Sequence, residues 1–167
     1  MTGGFGETTC RTCHFDNPLN DAGGSLAVEG VPARWVPGQD YALTVTIRRS
    51  GLKRAGFEMT ARFGRGSLQG RQAGAFRTPD DRLQIVFAPG ETVQYIQHTK
   101  AGSRLAVAGQ GRWTFRWVAP TDSTAGPIVF NVAANASNDD ASPLGDYVYT
   151  SERTAEAGPR NPPPVRR

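Results

Sequence analysis

The chain is poor in the residues that most often carry chemistry. It has two cysteines, two histidines and two methionines in 167 residues. No apolar run reaches the length needed to span a bilayer as a helix. The opening residues Met1-Thr2-Gly3-Gly4 show neither the basic stretch nor the apolar stretch of a secretory leader. No GxSxG occurs, and no Ser/His/Asp nucleophile set can be assembled from so few histidines. The Gly-rich stretch Gly64 to Gly70 lacks the lysine of a phosphate loop and reads as a loop between strands. No segment carries a sustained helical period.

What is present is concentrated. Both cysteines fall in Cys10-Arg11-Thr12-Cys13-His14, so no cysteine is used elsewhere. Cys-x-x-Cys-His is the attachment pattern of a c-type haem. Each thiol adds across one porphyrin vinyl group, and the adjacent imidazole then lies under the ring where it can bind iron. Cys10 and Cys13 are the expected thioether residues and His14 the proximal axial ligand. A CxxC disulfide or redox thiol pair is the alternative. A zinc site is poorer, because the thiols supply only two of four ligands.

His98 is the remaining histidine and the expected distal axial ligand, since a low-spin electron-transfer haem takes two strong-field donors. Met59 is the rival, although it alternates with Phe57 and Ala61 and so suits a core position, and an open or water-filled position is the remaining alternative. Phe5, Phe15 and Tyr95 lie near these ligands along the chain and are expected to pack on the ring. Covalent haem attachment is completed outside the cytoplasm. The reading therefore expects an exported, periplasmic or cell-surface chain whose leader has been removed.

The rest is punctuated by 20 glycines and 12 prolines. Residues 1 to 24 read as an irregular haem-attachment segment, with one short turn capped by Thr8 or Thr9 near Cys10. Residues 25 to 152 read as one β-domain. Tyr41, Leu43, Val45 and Ile47 alternate with polar neighbours, as do Phe57, Met59 and Ala61, and Trp113, Phe115 and Trp117. Leu26 and Val28, Leu83 to Phe87 closed by Pro89-Gly90, Val93 to His98, and Tyr147 with Tyr149 add further strands. Ile128 to Ala133 is a more continuous apolar run, as for a strand buried on both sides. About eight short strands without helices imply an all-β, two-sheet sandwich. Residues 153 to 167 read as a Pro-rich basic tail, extended or disordered.

The net charge is +4. Eight basic residues lie between Arg48 and Arg77 against one acid, Glu58. A positive face there would steer an acidic redox partner or offset haem propionates. No nucleic-acid motif accompanies it. Asn135, Asn138, Asp139, Asp140 and Asp146 form a polar loop whose spacing matches turn formation better than calcium binding.

Several stretches together resemble the bacterial Reeler-like domains called "choice-of-anchor V". They are Gly6 to His14, Tyr41 to Val45, Gly56 to Ala61, Tyr95 to Thr99, Trp113 to Pro120, Val129 to Asn135 and Gly145 to Tyr149. The resemblance covers most of residues 4 to 150. It implies an exported immunoglobulin-like sandwich with CxxCH at its N-terminal end, and speaks more to fold than to role. The chain departs from the pattern in having no apolar anchor segment at its C-terminal end.

The expectation is thus a monohaem c-type cytochrome, holding one haem c and carrying electrons to or from a redox partner or a membrane-bound complex. With both axial positions filled it would have no catalysis of its own. The alternatives are a non-redox adhesion or structural module, and an accessory subunit docked to a membrane complex by its tail.

Overall fold

A computed structural model describes residues 1–88, 90, 92–122 and 126–158. Ten strands are β1 (Gly24–Glu29), β2 (Arg34–Trp35), β3 (Asp40–Arg49), β4 (Arg54–Phe63), β5 (Ala75–Arg77), β6 (Leu83–Phe87), β7 (Gln94–His98), β8 (Gln110–Val118), β9 (Ile128–Ser137) and β10 (Tyr147–Ala157). They form a four-stranded sheet ordered β1-β3-β8-β5 and a six-stranded sheet ordered β2-β10-β9-β4-β7-β6. Every pairing is antiparallel except β2 with β10.

Alternation along each strand decides what lies between the sheets. Leu43, Val45 and Ile47 of β3, Phe57, Met59 and Ala61 of β4, and Trp113, Phe115 and Trp117 of β8 are all buried there. Aromatic rings bridge the layers. Phe57 of β4 meets Trp113 of β8 at 4.6 Å between centroids, and Trp117 meets Phe130 of β9 edge-on at 4.8 Å. Each buried indole N–H reaches a carbonyl: Trp113 to Gly102, Trp117 to Ala73 and Trp35 to Gly126. Met59 sits in this core with no exposed surface.

The alternation was read as eight strands. The other two, β2 and β5, span only two and three residues, too short to show a period. The last strand also runs beyond the expected boundary at Glu152. Residues 153 to 157 continue β10, because Arg153 to Ala155 pair with β9 and Glu156 and Ala157 pair with β2. The tail from 159 to 167 and the expected strand-closing Pro89 lie outside the described residues. No helix among the described residues is long and apolar enough to cross a membrane.

The outer face of the six-stranded sheet is not bare. Phe57 points inward, so Gly56 and Glu58 point away from the other sheet, as do Thr60 and Arg62. Residues 2 to 14 lie across this face. Gly4 packs so closely on Asn131 of β9 that a Cβ there would stand 2.1 Å from Asn131 Oδ1. This covering buries Asn131 of β9, while Gly64 packs on its neighbour Val129.

Candidate functional site

The cysteine motif lies in a short 3-10 turn, Cys10–Thr12. Thr9 caps it, its side chain accepting from the Arg11 amide at 3.2 Å. The amides of Cys13 and His14 both donate to the Cys10 carbonyl, at 3.2 and 3.0 Å. This tight closure carries His14 to the inner side of the turn while Cys13 faces solvent. Both thiols are free, and Cys10 is half-buried. Burial pushes the Cys10 thiol above its ordinary value. A thiol raised in this way is a poor match to the low-pKa cysteines of redox dithiols.

The segment holding the turn is pinned to the sheet on both sides. Upstream, Glu7 accepts hydrogen bonds from the Arg62 guanidinium and the Tyr95 hydroxyl, and Arg62 also donates to the Tyr95 oxygen at 2.6 Å. Downstream, the Asn17 amide donates to the Asp146 carbonyl at 2.9 Å, and Asn20 and Thr150 exchange hydrogen bonds.

Between the turn, the ends of β4, β7 and β9, and the 139–146 loop lies a cleft of about 390 Å³. That is within the usual range for small ligands and cofactors, ~300–1,000 Å³. Cys10, His14, Gly56, His98, Asn135 and Asp146 are among its walls. The turn and β7 are far apart in sequence, yet the fold brings both histidines to one cleft.

Each imidazole is held by Nδ1, and neither Nε2 has a protein hydrogen-bond partner among the described residues. His14 Nδ1 lies 2.8 Å from Asp146 Oδ2. The Asp146 side chain is 1% exposed, and it also accepts from Asn135 Nδ2 at 2.9 Å and the Asn138 amide at 3.2 Å. His98 Nδ1 lies 3.1 Å from both the amide nitrogen and the carbonyl oxygen of Phe57. Gly56 makes room for that ring. A Cβ at this position would stand 2.5 Å from His98 Cε1 and 2.8 Å from Nε2.

Other expected residues lie elsewhere. Met59 is enclosed in the core and does not line the cleft. Phe5, Phe15 and Tyr95 do not line it either. Phe15 is 60% exposed, Phe5 lies near the Arg62 guanidinium, and Tyr95 is engaged by Glu7 and Arg62. The eight basic residues do not form one face, because they are divided between the two sheets and their loops. Arg62 is buried against Glu7, and Arg49 bonds Asp21 and Tyr149. Only Arg54 of the eight lines the cleft, where it pairs with Asp139.

The residues that sequence reasoning missed are Asp146, Asn135 and Gly56. Asp146 and Asn135 read as turn formers, and nothing along the chain ties them to His14.

A haem places two demands on this chain: two thiols at CxxC spacing and axial donors facing one space, the ring nitrogens supplying the other iron positions. The donor set fits in its imidazoles and in one thiol: His14 and His98, with no Nε2 partner among the described residues, line one cleft with Cys10, while Cys13 is exposed beside it and Arg54 there is paired with Asp139. No three His, Cys, Asp or Glu side chains among the described residues converge as a conventional metal site.

No family model matches the chain, and no curated protein matches it. Solved structures do. The chain is similar to the human F-spondin reeler domain, with a TM-score of 0.56 and 20% identity over 84% of this chain and 94% of that one. It is similar to the Reelin-N domain of F-spondin, at 0.56 and 17% over 89% and 97%. It is also similar to AvmM, which catalyses macrocyclization in alchivemycin A biosynthesis, at 0.51 and 14% over 89% and 94%. Likeness at such identities concerns the fold: this chain is a Reeler-like β-sandwich.

Proposed function

We propose that this chain is an exported monohaem c-type cytochrome that exchanges electrons with a larger redox assembly. The observation that carries the reading is that His14, next to Cys10 and Cys13, and His98, 84 residues later, face one cleft with both Nε2 atoms unengaged. Cys10 and Cys13 would hold haem through thioethers, with His14 and His98 as the axial ligands. When bound, the haem supplies a one-electron Fe(III)/Fe(II) couple.

The chain's own part is positional. Asp146 and the Phe57 backbone anchor the two Nδ1 atoms, which leaves both Nε2 atoms for the iron. Gly56 keeps the space for the His98 ring. With His14 and His98 both on the iron, the haem would leave no site for substrate, and the role would be transfer and not catalysis.

The test is a haem-stained denaturing gel of the chain exported in a host that matures c-type cytochromes. The wild type keeps its stain after boiling, and the variant carrying both Cys10→Ser and Cys13→Ser loses it. Equal staining of the two would overturn the reading.

A second reading is favoured by the fold likeness to the F-spondin domains: a Reeler-like module with a non-redox, adhesive or accessory role. As an adhesive or structural module the exported chain carries no haem; as an accessory subunit it holds haem in a secondary role, and removal of residues 159 to 167 abolishes co-purification of a partner.

A further inference from the structure

The two histidines are anchored by chemically different groups. A carboxylate can only accept a hydrogen bond. His14 must therefore carry its proton on Nδ1, where Asp146 lies 2.8 Å away, leaving Nε2 with a bare lone pair. The backbone of Phe57 offers both a donor and an acceptor to His98 Nδ1, each at 3.1 Å. With Nδ1–H the proton goes to the Phe57 carbonyl and Nε2 is bare. With Nε2–H the Phe57 amide donates to Nδ1 and Nε2 is capped. One ligand is thus locked and the other is not.

Asp146 is built for this. It is 1% exposed, and among the described residues its carboxylate meets no lysine or arginine. Asn135 Nδ2 lies 3.4 Å from His14 Nδ1, but its shorter bond, 2.9 Å, goes to Asp146. The amide therefore orients the carboxylate and does not compete for the imidazole. A buried carboxylate with two neutral donors and one imidazole draws on the imidazole N–H, which makes the far nitrogen a stronger electron donor to a metal.

We propose that Asp146 is a positioning residue that fixes His14 as the permanent, electron-rich axial ligand, and that His98, held only by neutral backbone, is the exchangeable one. This rests on the haem reading for its redox consequence, but not for the state of the imidazole. A more electron-donating His14 would favour Fe(III) over Fe(II).

The experiment has two arms. In the first, long-range nitrogen–proton NMR is recorded on the full chain made in the cytoplasm without haem, at a pH where imidazoles are neutral. His14 is expected as the Nδ1–H tautomer and His98 as a mixture, and Asp146→Ala returns His14 to a mixture. In the second, the haem-loaded chain is titrated electrochemically. Asp146→Asn keeps an acceptor but removes the charge, so at a fixed potential the Fe(II)/Fe(III) ratio should rise about tenfold, or about 59 mV for one electron. The low-spin spectrum should persist.

An Nε2–H tautomer at His14 in the wild type overturns the assignment, as does an unchanged or lowered potential in Asp146→Asn. A chain that never takes haem but shows His14 as Nδ1–H upholds the hold of Asp146 on the imidazole and sinks the ligand roles together with the electron-carrier reading.

Discussion

At the scale of single residues, the cleft is set by what is small and what is buried. Gly56 has no steric room for a side chain, because the His98 ring occupies the position of a Cβ. Gly56→Val should leave the fold intact, since no positive φ is required there, but push the ring aside. The expected result in the loaded chain is loss of most of the low-spin absorption, measured optically, as for His98→Ala. Met59 gives the opposite expectation. It is enclosed between the sheets, so Met59→Leu should leave the haem spectrum unchanged and cost less than about 1.5 kcal/mol in urea unfolding. A spectral change in Met59→Leu would return Met59 to the ligand set.

Count and adjacency made Cys10, Cys13, His14 and His98 legible as candidates. Asp146, Asn135 and Gly56 were not. Asp146 is 132 residues from His14, and a turn-forming Asp looks the same along the chain whether or not an imidazole folds against it.

At the scale of elements, the irregular segment before β1 is ordered by one polar cluster. Burial pushes the Glu7 carboxyl up, but hydrogen bonds from Tyr95 and Arg62 outweigh it and hold the group below its ordinary 4.5. Burial first, and then the bond to Glu7, push the Tyr95 hydroxyl up to about 12. The signs follow from linkage. Glu7 binds its proton less tightly when folded, so its stabilisation is present above pH 4.5 and is lost as pH falls through the lower folded value. Tyr95 binds its proton more tightly when folded, so its stabilisation is present below pH 10 and is lost as pH rises toward 12. Urea midpoints should therefore fall at both ends of the pH range. Glu7→Gln should flatten the acid limb and Tyr95→Phe the alkaline one. Removing the shared cation by Arg62→Met should cost about 2 kcal/mol at neutral pH, below the 3–5 kcal/mol range for a fully buried pair because Glu7 can regain water.

The strands divide by length. Those of nine residues or more, β3, β4, β8, β9 and β10, announce themselves by alternation or by a long apolar run. The two- and three-residue β2 and β5 cannot, since a period needs several repeats. The C-terminal half of β10 is polar at Ser151 to Thr154, which hid it in the sequence. Its pairing with β9 shows in the fold alone.

At the scale of the whole molecule, the sandwich has a complete core without any cofactor. Aromatic residues of β4, β8 and β9 close it, and Phe57 touches both Trp113 and Phe115. Phe57→Ala should cost about 4 kcal/mol in denaturant unfolding, as for a large-to-small change in a packed core. It should do so equally in chains with and without haem, because Phe57 reaches His98 through its backbone, which the substitution keeps, while its ring packs in the core. A cost confined to the loaded chain would mean that the cleft and core are one structural unit.

The central claim is that two thioethers fix one iron porphyrin over the His14–His98 cleft. Its most direct measurement is the pyridine haemochrome spectrum of the exported chain, taken with iron and protein assays on the same sample. The account predicts one c-type haem and one iron per chain. A well-folded, exported chain that is colourless and free of iron would contradict it.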